Sequence, residues 1–127
     1  MDENAVGTII VDTAFKIHMR LGPGLLESVY ETVLEHELGK RGCKVLRQLK
    51  LPVVYDDLRI EDGYRVDLLV DDLVIIELKS VEEVHPVYKK QLLTYLKLSK
   101  NRLGYLINFN VPLIKDGISR IANGLPD

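Results

Sequence analysis

Three side chains stand out for the chemistry they could share: Asp67, Glu77 and Lys79. They lie in two short apolar segments, Tyr64 to Val70 and Leu73 to Lys79, joined by a tight turn at Asp71-Asp72. Val66, Leu68 and Val70 are apolar in the first, and Val74, Ile76 and Leu78 in the second. All six positions are even-numbered. Side chains alternate between the faces of a strand, so both segments read as strands that bury their even positions. For the two sets to share one face of a hairpin, paired residues must have numbers with an even sum. A two-residue turn pairing Val70 with Leu73 fails this condition. A three-residue connection through Asp71, Asp72 and Leu73 pairs Val70 with Val74 and meets it. Asp67 is then expected opposite Glu77, and Arg65 opposite Lys79, with Leu69 and Ile75 completing the odd face.

Two carboxylates directly opposed on antiparallel strands repel each other, so either solvent or a cation must stand between them. Magnesium suits such a pair, because it takes one or two carboxylates and completes its shell with waters and phosphate oxygens. Lys79 follows Glu77 on the same face. Its ammonium could orient or help deprotonate a water, or stabilise charge developing on a phosphate. The same residues also fit an ordinary solvated sheet face. Against that stands the run Val74-Ile75-Ile76-Glu77-Leu78, where a charge interrupts a sequence typical of a buried strand and needs a partner.

Other elements must position this hairpin. Val6, Ile9, Ile10, Ala14, Ile17 and Leu21 recur at spacings of three and four, predicting an amphipathic helix from Ala5 to Leu21. Leu21-Gly22-Pro23-Gly24 stops it. A second helix is expected with Leu26, Val29, Tyr30, Val33, Leu34 and Leu38 on its inner stripe, ending near Gly39 and Gly42. Val45 to Tyr55 reads as extended, with Pro52 marking a sheet edge or a bulge. Asp56-Asp57 and Glu61-Asp62-Gly63 read as polar turns around a short Leu58-Arg59-Ile60 segment. Pro86 opens a third helix through Tyr88, Gln91, Leu92, Tyr95 and Leu96. Arg102 to Phe109 forms a last apolar strand, and the tail with Ile118 and Ile121 a short helix or strand. The order α-α-β-β-β-α-β describes an α/β domain around a mixed sheet, and the third helix is a crossover that could make the flanking strands parallel.

The 127 residues fit one domain spanning 1–127. Apolar residues make up 46% of the chain and charged residues 28%, an ordinary globular mix. Roughly two-thirds of the unfolded chain's surface can be buried at this length, so a core forms without disulfides. The lone Cys43 has no partner for one. Met1-Asp2-Glu3-Asn4 is acidic where a secretory leader would be basic, and no apolar run approaches the roughly 20 residues of a membrane span. A cytoplasmic protein with no membrane partner is the expectation. The net charge of −2 and pI of about 5.9 count against a life based on non-specific nucleic-acid affinity. They leave room for a local basic groove.

Asp67 followed by Glu77-Leu78-Lys79 resembles the D…(D/E)-x-K core of the PD-(D/E)xK nuclease superfamily, although Val66 stands where some members have proline. The expected order of helix, three-stranded meander, helix and returning strand is similar to that superfamily's restriction-endonuclease-like α/β fold. Gly24-Leu25-Leu26-Glu27-Ser28-Val29-Tyr30 further resembles the G-x-x-E-x-x-Y signature of the GxxExxY proteins, and His18 and Leu21-Gly22-Pro23 fit that family too. The likeness runs from about His18 to Phe109.

The resemblance implies a Mg²⁺- or Mn²⁺-dependent phosphodiesterase acting on DNA as an endonuclease, with RNA an open substrate and a homodimer or larger complex an open state. Asp67, Glu77 and the Leu78 carbonyl would hold the metal and Lys79 would position the attacking water. Glu27 would orient a water or bind a second ion. Gln91 and Tyr95 resemble a Q-x-x-x-Y motif, which gives Gln91 a catalytic role and Tyr95 a substrate contact. Tyr30, Arg65, Lys89 and Lys90 are further candidate substrate contacts, and Arg47, Lys50 and Lys97 candidate phosphate contacts. Simpler roles compete: Glu27 as a first-turn glutamate stabilised by the helix dipole, Tyr95 as a core tyrosine, His18 and Tyr30 as satisfied core residues. His36 and His85 show no metal-ligand spacing. At the level of function, the rivals are a non-catalytic nucleic-acid-binding or assembly module that keeps the fold, and an interaction domain with no nucleic-acid partner. Clustering of Lys89, Lys90 and Lys97 with Lys79 would discriminate against the second.

Overall fold

Helix α1 (Glu3–Leu21) starts where the Asp2 carboxylate accepts the Ala5 N–H, at 2.8 Å, in a computed structural model that describes residues 1–126. It ends at Gly22, whose φ of 72° few other residues adopt cheaply. Helix α2 (Glu27–Lys40) follows after a short turn and packs beside it. Strands β1 (Val45–Tyr55), β2 (Leu58–Val70) and β3 (Val74–Lys79) run antiparallel in that order. Helix α3 (Pro86–Ser99), with Pro86 in its first turn, crosses over to β4 (Leu103–Asn108), which lies parallel to β3. A single 3₁₀ turn, Ile114–Asp116, then leads into β5 (Ile118–Ala122), antiparallel to β4. The sheet order is β1-β2-β3-β4-β5, so the mixed α/β sheet and the parallel crossover are as expected and the tail is a strand.

Helices α1 and α2 cover one face. Val6, Ile10, Ala14 and Ile17 of α1, with Tyr30, Leu34 and Leu38 of α2, pack on Leu68, Val70, Val74, Ile76 and Leu78. Helix α3 covers the other face, where Leu92 and Leu96 meet Val66, Ile75 and Leu106. Both faces of β3 and β4 are therefore dry, which is why their sequences are nearly continuous apolar runs.

The hairpin register is Val70↔Val74, Leu69↔Ile75 and Leu68↔Ile76, as the even-sum condition requires. Asp71 and Asp72 both have positive φ (52° and 57°), and Leu73 N–H bonds the Val70 carbonyl at 3.0 Å. This is turn geometry that aspartate tolerates better than most side chains.

Four expectations need correction. First, β2 runs unbroken from Leu58, so Glu61-Asp62-Gly63 is no turn. These residues form a bulge opposite Pro52, where the β1–β2 register shifts between Leu51 and Val53. A Cβ on Gly63 would collide with Val53, so glycine is what lets the strand pass. Second, Val66 does not share the face of Leu68 and Val70 but packs under α3. Third, Arg65 does not pair with Lys79. The β2–β3 ladder stops at Leu68↔Ile76, and Arg65 pairs with Lys50 on β1. Fourth, Leu21, Leu26 and Val29 are exposed at 41%, 73% and 37%. They surround the α1–α2 turn, and Leu26 is the non-helical cap residue of α2 rather than part of its inner stripe.

Candidate active site

Where the β2–β3 ladder stops, two carboxylates take over its hydrogen bonds. The Asp67 N–H donates to Glu77 Oε2 at 2.8 Å, and the Leu78 N–H donates to Asp67 Oδ2 at 2.8 Å. Asp67 and Glu77 thus hold the expected register position without forming a backbone pair. Each keeps its second oxygen clear of the backbone. A residue's N–H and C=O point to the same side of a strand, so the Leu78 carbonyl faces this opened gap too. The Lys79 carbonyl points the other way and accepts from Phe109 N–H at 3.1 Å.

Glu27 reaches this end of the sheet through the α1–α2 turn. Ser80 Oγ donates to the Leu25 carbonyl at 2.6 Å, tying the residue after Lys79 to the loop before Glu27. Tyr30 braces the same loop: its hydroxyl donates to the Gly22 carbonyl at 2.7 Å and accepts Leu25 N–H at 3.1 Å, and its ring stacks on Phe109. Tyr30 is wholly buried and cannot touch substrate, so that expectation is corrected to a positioning role. His18 is likewise satisfied internally, its Nε2 lying 2.9 Å from the Val111 carbonyl. Asn108, paired with Lys79 across the parallel strands, holds the following loop by bonds to both backbone groups of Val81.

One turn beyond Glu27, the buried Glu31 was not singled out by sequence. It accepts from Arg47 Nη2 at 2.8 Å and from the Gln48 amide, which also stands 3.4 Å from Asp67 Oδ1. Arg47 also pairs with Glu35, so it is engaged within the fold and is withdrawn as a phosphate contact. The one hint in the sequence was the four-residue spacing of Glu27, Glu31 and Glu35 on α2, a single helical face.

Helix α3 closes the other side. Lys79 Nζ lies 4.0 Å from the centre of the Tyr88 ring, a cation–π contact. Tyr95 stacks on Tyr64 at 4.8 Å. Gln91 lies between Tyr88 and Tyr95 on the same helical stripe and is exposed at the rim. Lys89, Lys90 and Lys97 are all exposed, but helical spacing puts Lys90 and Lys97 on the outer side of α3, away from that stripe. They do not cluster with Lys79. Lys50 and Arg65 are instead directly opposed and exposed, and neither has an ion-pair partner among the described residues.

The electrostatics follow from crowding. Burial, and then the neighbouring Asp67 charge, push the Glu77 carboxyl up to about 8; the Asp67 N–H and Lys79 partly oppose this. Burial also raises Glu27, helped by Asp67 and Glu31 and opposed by Lys79. The Tyr95 hydroxyl is raised by burial and then by Glu77 and Asp67, with Arg65 acting against them. Glu27, Asp67, Glu77, Lys79 and Tyr95 therefore share one local field.

A desolvated glutamate beside an aspartate is a donor set that a small divalent cation relieves. The spare oxygens of Asp67 and Glu77 with the Leu78 carbonyl are the hard ligands magnesium or manganese takes. Among the described residues no three His, Cys, Asp or Glu side chains gather closely enough to enclose an ion. The arrangement fits a cation held by two carboxylates and completed by water and phosphate, not an all-protein cage. The hollow between α1 and α2, about 610 Å³ and lined by Lys16, Met19 and Arg20 among others, contains none of this chemistry. Among the described residues no helix is long and apolar enough to cross a membrane.

A family model described as the PD-(D/E)XK nuclease superfamily matches residues 4–121. No match was found among curated proteins or among solved structures.

Proposed function

The chain belongs to the PD-(D/E)XK nuclease superfamily, and on that premise we propose that it is a metal-dependent phosphodiesterase cleaving DNA as an endonuclease. The observation that carries this reading is the opened end of the hairpin. There the Asp67 and Glu77 carboxylates are locked to the backbone by two 2.8 Å bonds, with the Lys79 charge acting on Glu77. When bound at these carboxylates, Mg²⁺ or Mn²⁺ supplies neutralising charge for the phosphate and a lower pKa for the attacking water.

The chain's own groups do the rest. Asp67, Glu77 and the Leu78 carbonyl define where the cation sits. Lys79, steadied over Tyr88, holds a water in line or donates to a phosphate oxygen as charge develops there. Glu27, at the start of α2, lies within the field of Asp67 and Lys79. It orients a water or meets a second ion. The narrower likeness to GxxExxY proteins, carried by Gly24, Glu27 and Tyr30, supports that role for Glu27 and makes Tyr30 the brace of its loop. Gln91 and Tyr95 face the nucleotide from α3. Lys50 and Arg65 are better placed than Lys90 or Lys97 to meet the backbone, because two opposed cations are relieved by a bridging phosphate.

The net charge of −2 favours a second reading, a binding or assembly module that keeps the fold without cleaving. Incubation with double- and single-stranded DNA and with RNA, in Mg²⁺, Mn²⁺ or EDTA, separates the two. Metal-dependent cleavage that vanishes in Lys79→Ala supports the nuclease. Binding without cleavage under either metal supports the module.

A further inference from the structure

We infer that Gln48 is the positioning residue for the Asp67 carboxylate, linking it through Glu31 to helix α2. The inference rests on the metal-site reading above. Among the described residues, five other than glycine have positive φ: Gln48, Asp56, Asp71, Asp72 and Lys100. Asp56, Asp71 and Asp72 sit in hairpin turns, and Lys100 ends α3. Those places call for left-handed backbone. Gln48, at 49°, lies within β1 opposite Asp67, where an extended residue would be the low-energy choice.

What this conformation achieves is visible in the contacts. Adjacent residues of a regular strand point to opposite faces. Arg47 and Gln48 nonetheless both reach Glu31, because the left-handed step turns the second side chain back toward α2. The same step explains the face of Val66. Leu49 and Leu51 beyond Gln48, with Val66 and Tyr64 beyond Asp67, all pack under α3, so both strands roll over at this pair. The Gln48 side chain then spans two carboxylates, bonding Glu31 Oε1 and standing 3.4 Å from Asp67 Oδ1. Both neighbours accept only, so the amide nitrogen faces them. Glu31 is itself fixed by Arg47, which makes a continuous path from α2 to Asp67. With Oδ2 bonded to the Leu78 N–H and the Gln48 amide 3.4 Å from Oδ1, the carboxylate is oriented while Oδ1 keeps a lone pair for a cation. Groups that orient a metal-binding side chain change affinity without touching the ion.

Two substitutions separate the side chain from its backbone. Gln48→Gly removes the amide but suits a positive φ, so its thermal stability should exceed that of Gln48→Ala. Gln48→Ala removes the amide and keeps the strain, so its stability should fall. Titration with Mn²⁺ by calorimetry should show affinity about tenfold or more weaker than wild type in both variants. A purely structural role for Gln48 would leave the affinity of Gln48→Gly unchanged, and that result overturns the inference alone. A wild type that takes up no Mn²⁺ overturns the metal reading beneath it, and this role with it.

Discussion

From Val70 to Leu68, β2 meets β3 in an ordinary antiparallel ladder whose side chains are apolar and almost wholly buried. One residue further the same strands are held by carboxylates: Glu77 accepts the Asp67 N–H and Asp67 accepts the Leu78 N–H. The closed half spends its backbone groups on each other and leaves side chains free to pack. The open half spends one oxygen of each acid on the backbone, which fixes those acids in place while leaving the other oxygen for chemistry. A backbone's need to satisfy every buried polar group is thereby turned into preorganisation of two like charges.

Substitutions in the two halves should fail in different ways. Ile76→Ala, in the closed half, removes a fully buried side chain. It is expected to cost about 2–5 kcal/mol of stability by chemical denaturation, with cleavage per folded molecule retained. Lys79→Ala, at the open end, should lower the cleavage rate by about 10²–10³-fold, on the scale of losing one preorganised electrostatic group. Its melting temperature should stay close to wild type, since what it loses in stability is a partly exposed contact with Tyr88. If Lys79→Ala unfolds the chain, or Ile76→Ala stops cleavage in molecules that remain folded, the contrast between the halves is wrong.

A pH series probes the same contrast more finely. Glu77 titrates near 8 in the folded chain, through burial first and the Asp67 charge second, whereas an unfolded glutamate titrates near 4.3. Between those values the folded state holds a proton that the unfolded state has released. The stabilisation is therefore complete below about pH 4.3 and is lost as pH rises through 8, with a slope of at most about 1.4 kcal/mol per pH unit. Metal-free wild type should show this decline in denaturant midpoints, and Glu77→Gln should flatten it. A Glu77→Gln chain with an unchanged slope would place the titration elsewhere.

The smallest expected effect concerns Lys50 and Arg65. Replacing either should weaken DNA binding by roughly the share of one phosphate contact and lower the salt slope by about one. Lys90→Ala, on the outer side of α3, should change neither, and an effect of equal size there would move the nucleic-acid path to that face.

Much of this hairpin could be read from residue pattern. Alternation set the pairing of Val70 with Val74, and the charge within Val74–Leu78 marked Glu77 as needing a partner. Alternation specifies a face, however, and not where a ladder ends, so the exchange of backbone bonds for carboxylates was invisible. The roll of Val66 to the α3 side coincides with one left-handed residue, Gln48, whose type is a poor sign of positive φ. Glu61-Asp62-Gly63 has the composition of a turn, and its true role is set by Pro52 on the neighbouring strand. Glu31 looks like a solvent-facing helix residue until Arg47 and Gln48 arrive from β1. Tyr30 and Arg47 have side chains suited to substrate contact, and it is burial and ion pairing, properties of the assembled fold, that commit them elsewhere.

The most direct test of the central claim is calorimetric titration of Mn²⁺ into the wild type, Asp67→Asn and Glu77→Gln. The amide in each variant can still accept the backbone N–H, so the folds should persist while the negative charge is lost. Binding in the wild type that falls sharply in both variants is the expected result. Equal binding in all three, or none in the wild type, would contradict a metal held at the open end of the hairpin.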